Sequence, residues 1–128
     1  MAMTIAALGR AAGVGVETVR YYQRRGLLPV PDAGGSIRRY DENDLRRLTF
    51  IRRAAAAGFS LADIGELIEL DATNDRARAA DMAAVRLAAL DERIAELEAA
   101  RSALGRLRKA CTGGKDGPCP ILEAFDPA

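Results

Sequence analysis

A mainly α fold is predicted by three features of this 128-residue chain. Apolar residues recur at three- and four-residue spacings through most of its length, glycines stand where those runs stop, and from Ala83 onward the spacing tightens to a heptad. The one clearly extended stretch is rich in proline and glycine and lies between Leu27 and Tyr40.

The first helix is expected over Ile5 to Ala12, with Ile5, Leu8 and Ala12 on one face and Gly13 as its stop. After a Val14-Gly15 bend a second helix follows, held to the first by Val16, Val19 and Leu27. Its other face carries Glu17, Thr18, Arg20, Gln23 and Arg24. Arginine forks bind phosphate or guanine edges, Thr18 can meet a phosphate or a thymine methyl, and the hydroxyls of Tyr21 or Tyr22 can reach backbone oxygens. Such a face suits the major groove of DNA, although a solvated face has the same period. The next segment shifts the balance. Leu27 to Pro31 is extended by its prolines, Ala33 to Ser36 reverses the chain, and Ile37 to Tyr40 is expected to return as a strand, giving a wing that carries Arg38 and Arg39. The Gly-Gly pair in the wing lacks the spacing and lysine of a nucleotide-binding loop.

Beyond the wing, Asp41 is the expected N-cap of a helix with Leu45, Leu48, Phe50, Ile51 and Ala55 turned to the core, ending at Gly58. Ser60 and Asp63 match a capping box, and a fourth helix burying Leu61, Ile64, Leu67 and Ile68 is expected to run to about Leu70. On this helix pair Arg46, Arg47, Arg52 and Arg53 fit either a solvated face or further phosphate contacts. Ala83, Leu87, Leu90, Ile94, Leu97 and Leu104 then alternate by three and four, with Arg101 interrupting the seam, as in a coiled coil. The organisation predicted is a winged helix-turn-helix DNA-binding domain over 1–70, a linker over 71–78, a dimerisation helix over 79–110, and a loop with a short helix over 111–128. A homodimer would set two recognition helices on successive groove faces of a pseudo-palindromic site in double-stranded promoter DNA.

Charge supports this division. The net charge is only +1, but residues up to Gly58 carry ten arginines against five carboxylates, or +5, which leaves −4 for the remainder. Neither a membrane-spanning run nor a signal-like start is present, so no membrane association and a cytoplasmic location are expected, where two cysteines are more often thiols than a structural disulfide.

Those cysteines close the segment Cys111-Thr-Gly-Gly-Lys-Asp-Gly-Pro-Cys119-Pro-Ile-Leu-Glu-Ala-Phe. Three glycines let the loop fold back and bring both sulfurs to one ion. A short helix from Pro120 to Phe125 would favour thiolate at Cys119, whereas Cys111, at a helix C-terminus, needs a cation to offset the dipole. Spacing alone leaves inert or redox-active thiols open.

Taken together, the stretches AAGVGVETVRYYQRRGLL, GSIRRY, GFSLADIGELIEL and the cysteine loop ending CPI resemble the MerR family of bacterial transcriptional regulators over nearly the full length. The DNA-binding half is most similar to the mercury-resistance regulators. The resemblance implies a dimer that sits on an over-long promoter spacer and, on binding metal, unwinds and kinks the DNA so that RNA polymerase can engage. It implies that Thr18, Arg20, Tyr21 and Arg24 read or grip the groove, that Arg38, Arg39 and Tyr40 are wing contacts, and that Cys111 and Cys119 are the loop ligands.

One departure narrows the ion. Mercury sensors of this type supply a third cysteine from the other subunit at the start of the dimer helix, where ungapped counting puts Arg76, beside Asp75. Two thiolates without any histidine make a poor tetrahedral zinc site and suit a two-coordinate soft cation. Relatives that sense copper, silver or gold share the seven-residue loop and also lack the third cysteine. A Cu(I)-type ion is therefore expected ahead of Hg(II), with Arg76 or Lys115 offsetting the residual negative charge. Asp75, if it reached the site, would instead allow a lead or cadmium site. A thiol-redox regulator and a plain repressor remain alternatives. No constellation of an enzyme is apparent.

Overall fold

The computed structural model describes residues 2–32, 34–35, 37–113 and 121–127. Helices α1 (Ile5–Ala12), α2 (Val16–Arg24), α3 (Glu42–Ala56), α4 (Leu61–Thr73) and α5 (Arg76–Thr112) follow in order, with a short 3₁₀ helix at Leu122–Phe125. The chain divides into two compact units, Met1–Ala83 and Ala84–Ala128.

In the first unit the helix ends are set by local chemistry. Thr4 Oγ1 accepts from the Ala7 amide at 3.2 Å, and Ser60 Oγ accepts from the Asp63 amide at 3.1 Å. A full reciprocal box forms at α3: Asp41 accepts from the Asp44 amide at 3.0 Å, and Asp44 accepts from the Asp41 amide at 2.9 Å. Three helices close alike, with a left-handed glycine at 13, 26 or 58 and the following amide bonded back to Gly9, Tyr22 or Ala54. Gly9 serves a second purpose. A Cβ there would stand 2.7 Å from the Val14 carbonyl oxygen, so only glycine lets the chain leave α1 tightly enough to begin α2 at Val16.

The core lies among these four helices. Leu8, Val19, Leu48, Ile51 and Ile64 are wholly buried, and Leu27, Leu28, Tyr40 and Ala54 join them. Each large apolar side chain so buried is worth about 1.5–3 kcal/mol.

Three local expectations differ from what is observed. Among the described residues the wing contains no strand ladder. Tyr40 instead forms an isolated antiparallel bridge with Met3, through N–H···O bonds of 2.7 and 2.8 Å. Pro29 and Pro31 lack the amide hydrogens that a ladder partner would supply. Phe50, assigned to the core, is 40% exposed and lines an open groove of about 930 Å³ with Leu67 and Ile68. The segment 71–78 is not a linker in full: α4 runs on to Thr73 and α5 begins at Arg76. Only Asn74 and Asp75 remain between them, Asn74 left-handed at φ 57° and Asp75 accepting from the Arg78 amide at 3.2 Å to cap α5. Polar side chains that resembled a linker are the helix-ending and helix-starting residues themselves.

Within the second unit α5 continues without a break to Thr112. Arg106 donates from Nη2 to the Ala124 carbonyl at 2.8 Å, holding the 3₁₀ helix, and Ala103 and Ala124 are buried. Pro120 lies outside the described residues, and the helix expected from it begins at Leu122. Along α5 the side chains of Val85, Leu87, Ile94, Leu97 and Leu104 are at least half exposed. Among the described residues no helix is long and apolar enough to cross a membrane.

Candidate nucleic-acid interface and cysteine site

Helix α2 is held by its inner residues and offers the others. Val19 is wholly buried and Val16 half-buried, whereas Arg20, Tyr21 and Arg24 are exposed and Thr18 is half-buried beside them. Arg20 Nη1 meets Glu17 Oε1 at 3.1 Å, an exposed pair one turn apart. Such a pair contributes little to stability but orients the guanidinium. The rings of Tyr21 and Tyr22 stand 5.8 Å apart, tilted by 52°.

Gln23, expected on the outer face, turns inward. Its Nε2 donates to the Tyr40 hydroxyl at 2.9 Å and approaches the Pro29 carbonyl at 3.4 Å. Tyr40, expected among the wing contacts, has its ring in the core at 2% exposure. The position of Gln23 four residues after buried Val19 was the available signal, since i and i+4 share a helix face. Arg47 is likewise structural, donating from Nε to the Leu27 carbonyl at 2.8 Å. It shares the face of Ile51 and Ala54. Together Gln23, Tyr40 and Arg47 fasten both ends of the wing to the helices.

The wing tip stays outward. Asp32 Oδ1 accepts from the Gly34 amide at 3.0 Å, Gly34 and Gly35 are left-handed, and Ile37, Arg38 and Arg39 are exposed. Two guanidiniums thus stand on the segment that follows α2.

At the α4–α5 turn, Arg78 grips Glu66 with two bonds, Nε to Oε2 at 2.6 Å and Nη2 to Oε1 at 3.0 Å. Those bonds hold the Glu66 carboxyl below its usual range and push the Arg78 guanidinium up. Asp41 is also lowered, chiefly by the Asp44 amide it accepts. Asp75 is occupied as the cap of α5, and Arg76 is exposed in its first turn.

Cys111 lies exposed in the last turn of α5 and is disulfide-bonded. Lys115 and Cys119 lie outside the described residues. Around Cys111 the helix ends tightly, with the Thr112 hydroxyl donating to the Arg108 carbonyl at 2.6 Å and the Gly113 amide to that of Lys109 at 3.0 Å. Among the described residues no group of three or more histidine, cysteine or acidic side chains is placed to hold a metal ion.

Comparison with known proteins is consistent across the chain. The family profile described as MerR HTH family regulatory protein matches residues 3–71, and that described as MerR, DNA binding, matches residues 45–107. The mercuric resistance operon regulatory protein of Serratia marcescens is 41% identical over 125 residues, covering 96% of this chain and 87% of that one. The solved transcription regulator PbrR691 of Ralstonia metallidurans CH34, in complex with lead(II), is 34% identical with a TM-score of 0.63, covering 97% of this chain and 99% of that one. HiNmlR, a MerR family regulator that lacks the sensor domain and is bound to promoter DNA, is 26% identical with a TM-score of 0.71, covering 99% of this chain and 98% of that one.

Proposed function

Because the chain belongs to the MerR family of helix-turn-helix regulatory proteins, we propose that it is a metal-responsive transcriptional regulator acting on promoter DNA as a homodimer. The observation that carries the DNA reading is the outward face of α2, where Thr18, Arg20, Tyr21 and Arg24 stand on a helix fixed from behind by Val19 and Gln23. Arg38 and Arg39 extend the same chemistry onto the wing, where they suit the phosphate backbone. Tyr40 positions the wing rather than touching DNA. The exposed heptad stripe of α5 supports pairing with a second copy, and the matching lead(II) and mercuric regulators support a thiophilic effector.

In this reading reduced Cys111 and Cys119 would hold the ion. Two thiolates give linear coordination, which suits Cu(I)-type ions first and Hg(II) second. Asp75 is already committed to capping α5, which weakens the mixed-ligand lead or cadmium alternative. Arg76, exposed in the first turn of α5, is a candidate to offset the net charge of a Cu(I) dithiolate. Ion binding would distort the promoter spacer and let RNA polymerase engage its two elements.

The disulfide at Cys111 favours a second reading, in which the cysteine pair itself is the switch. There two thiols would give two protons and two electrons to a cellular oxidant and form one S–S bond. A single experiment separates the readings. Reduced protein is titrated anaerobically with Cu(I) and Hg(II) under a competing ligand or, in a metal-free arm, with hydrogen peroxide, and transcription from its own promoter is followed beside Cys111→Ser. Activation by either ion, lost in Cys111→Ser, supports metal sensing, and the ion active at the lower free concentration identifies the effector. Activation by oxidant alone overturns metal sensing in favour of the redox switch.

A further inference from the structure

Arg52 on α3 is unlike the other arginines of the first unit. Its Nε is sealed from solvent and has no hydrogen-bond partner among the described residues. The three ion pairs formed by the described residues join Arg20 to Glu17, Arg78 to Glu66 and Arg93 to Glu96, and none involves Arg52. The sealed Nε is beyond the reach of an outside partner. Arg52 as a whole is only half-buried, however, and has no counter-charge among the described residues, so the outer guanidinium nitrogens are the donors offered to an anion outside the chain.

Its position indicates what that partner is. Nε and Cζ lie 3.8 and 3.9 Å from where a Cβ on Gly13 would stand, so the guanidinium lies against the turn between α1 and α2. Gly13 is exposed and left-handed, and without a side chain it leaves the approach to Arg52 open. Two residues on, Gly15 begins α2 without any side-chain cap. In a helix-turn-helix the N-terminal residues of the second helix reach the base edges while the first helix crosses the backbone. The turn joining them then stands over the rim of the groove, where the phosphates run.

We infer that Arg52 is a phosphate anchor: its guanidinium clamps a DNA backbone phosphate beside the α1–α2 turn, at the edge of the groove that α2 enters. The contact rests on the reading of α2 as the groove-entering helix and adds to it a residue from α3. It sets depth and register and carries no sequence information, because every nucleotide presents the same phosphate. The positive end of α2, directed to the same rim, reinforces it.

The test uses the full chain and two labelled duplexes of equal length, one from its own promoter and one of unrelated sequence, each titrated over a range of KCl concentrations. Arg52→Met keeps the aliphatic stem against Gly13 and removes the charge; Arg52→Lys keeps the charge and loses the fork. Arg52→Met should weaken binding to both duplexes by a similar factor and flatten the slope of log K against log salt by about 2 for a dimer with two such contacts. Its melting temperature should match the wild type, and Arg52→Lys should recover most of the slope but only part of the affinity. A wild-type slope in Arg52→Met, whether affinity is kept or falls together with melting temperature, overturns the anchor. Arg20→Ala run alongside isolates the underlying reading: an unchanged preference for the promoter duplex would reject α2 as the reading helix, whatever the salt slope of Arg52→Met.

Discussion

Helices α1 to α4 and the body of α5 solve the burial of apolar surface in opposite ways. In the first group Leu8, Val19, Leu48, Ile51 and Ile64 are wholly covered by their own chain. Along α5, Leu87, Ile94, Leu97 and Leu104 repeat as regularly and remain half or more exposed. Periodicity is therefore shared, and what differs is the partner. The short helices find theirs within the chain, whereas a helix of 37 residues, about 55 Å long, has nothing of similar length among the described residues to lie against. An unpaired apolar stripe of that extent supports the proposed pairing of α5 with a second copy of the chain.

Four substitutions test this contrast. The largest effect is expected at Ile51, where Ile51→Ala should lower unfolding free energy by about 2–5 kcal/mol in urea titration. A cost near zero would mean that the first unit lacks the close packing described for it. Next comes Leu97→Asp, which should weaken self-association by about 100-fold or more in sedimentation equilibrium. Below the dimer dissociation constant it should leave the melting of the core untouched; unchanged association would place the interface elsewhere. Tyr40→Phe is smaller, at about 1 kcal/mol, since it removes the acceptor of Gln23 while keeping the buried ring. A loss of DNA affinity beyond that explained by stability would return Tyr40 to the contact surface.

The smallest effect belongs to Glu66→Gln. The bonds from Arg78 depress the Glu66 pKa in the folded chain, so the unfolded chain binds the proton more readily. The stabilisation is thus full above the unfolded pKa and disappears as pH falls through the lowered folded value. Wild type should exceed Glu66→Gln in urea midpoint at neutral pH, and the difference should vanish in acid. A difference that persists in acid would show that the contact does not depend on charge.

The boundaries of α1 and the caps at Asp41 and Ser60 could be read from the sequence because they depend on residues within a few positions of one another. The wing could not. Ile37 to Tyr40 has strand composition, but its pairing was decided by Met3, far away in sequence, and by two prolines that cannot donate. Similarly, Arg20, Tyr21 and Arg24 stand on the outer face as their spacing requires, while the register of Gln23 with Val19 outweighs its polarity and turns it inward to Tyr40. Asn74 and Asp75 were hidden in a polar run whose capping role depends on backbone conformation.

One consequence follows from the way α2 is tied at its end. A helix of nine residues would be largely unfolded in isolation. Here Gly26 closes it, Val19 anchors it and Gln23 is bonded to Tyr40, so its ordering entropy is met during folding and not at the encounter with DNA. If DNA is met through this face, as proposed, association is close to rigid docking, with a heat-capacity change limited to the surface that the two molecules cover and free of the added signature of coupled folding.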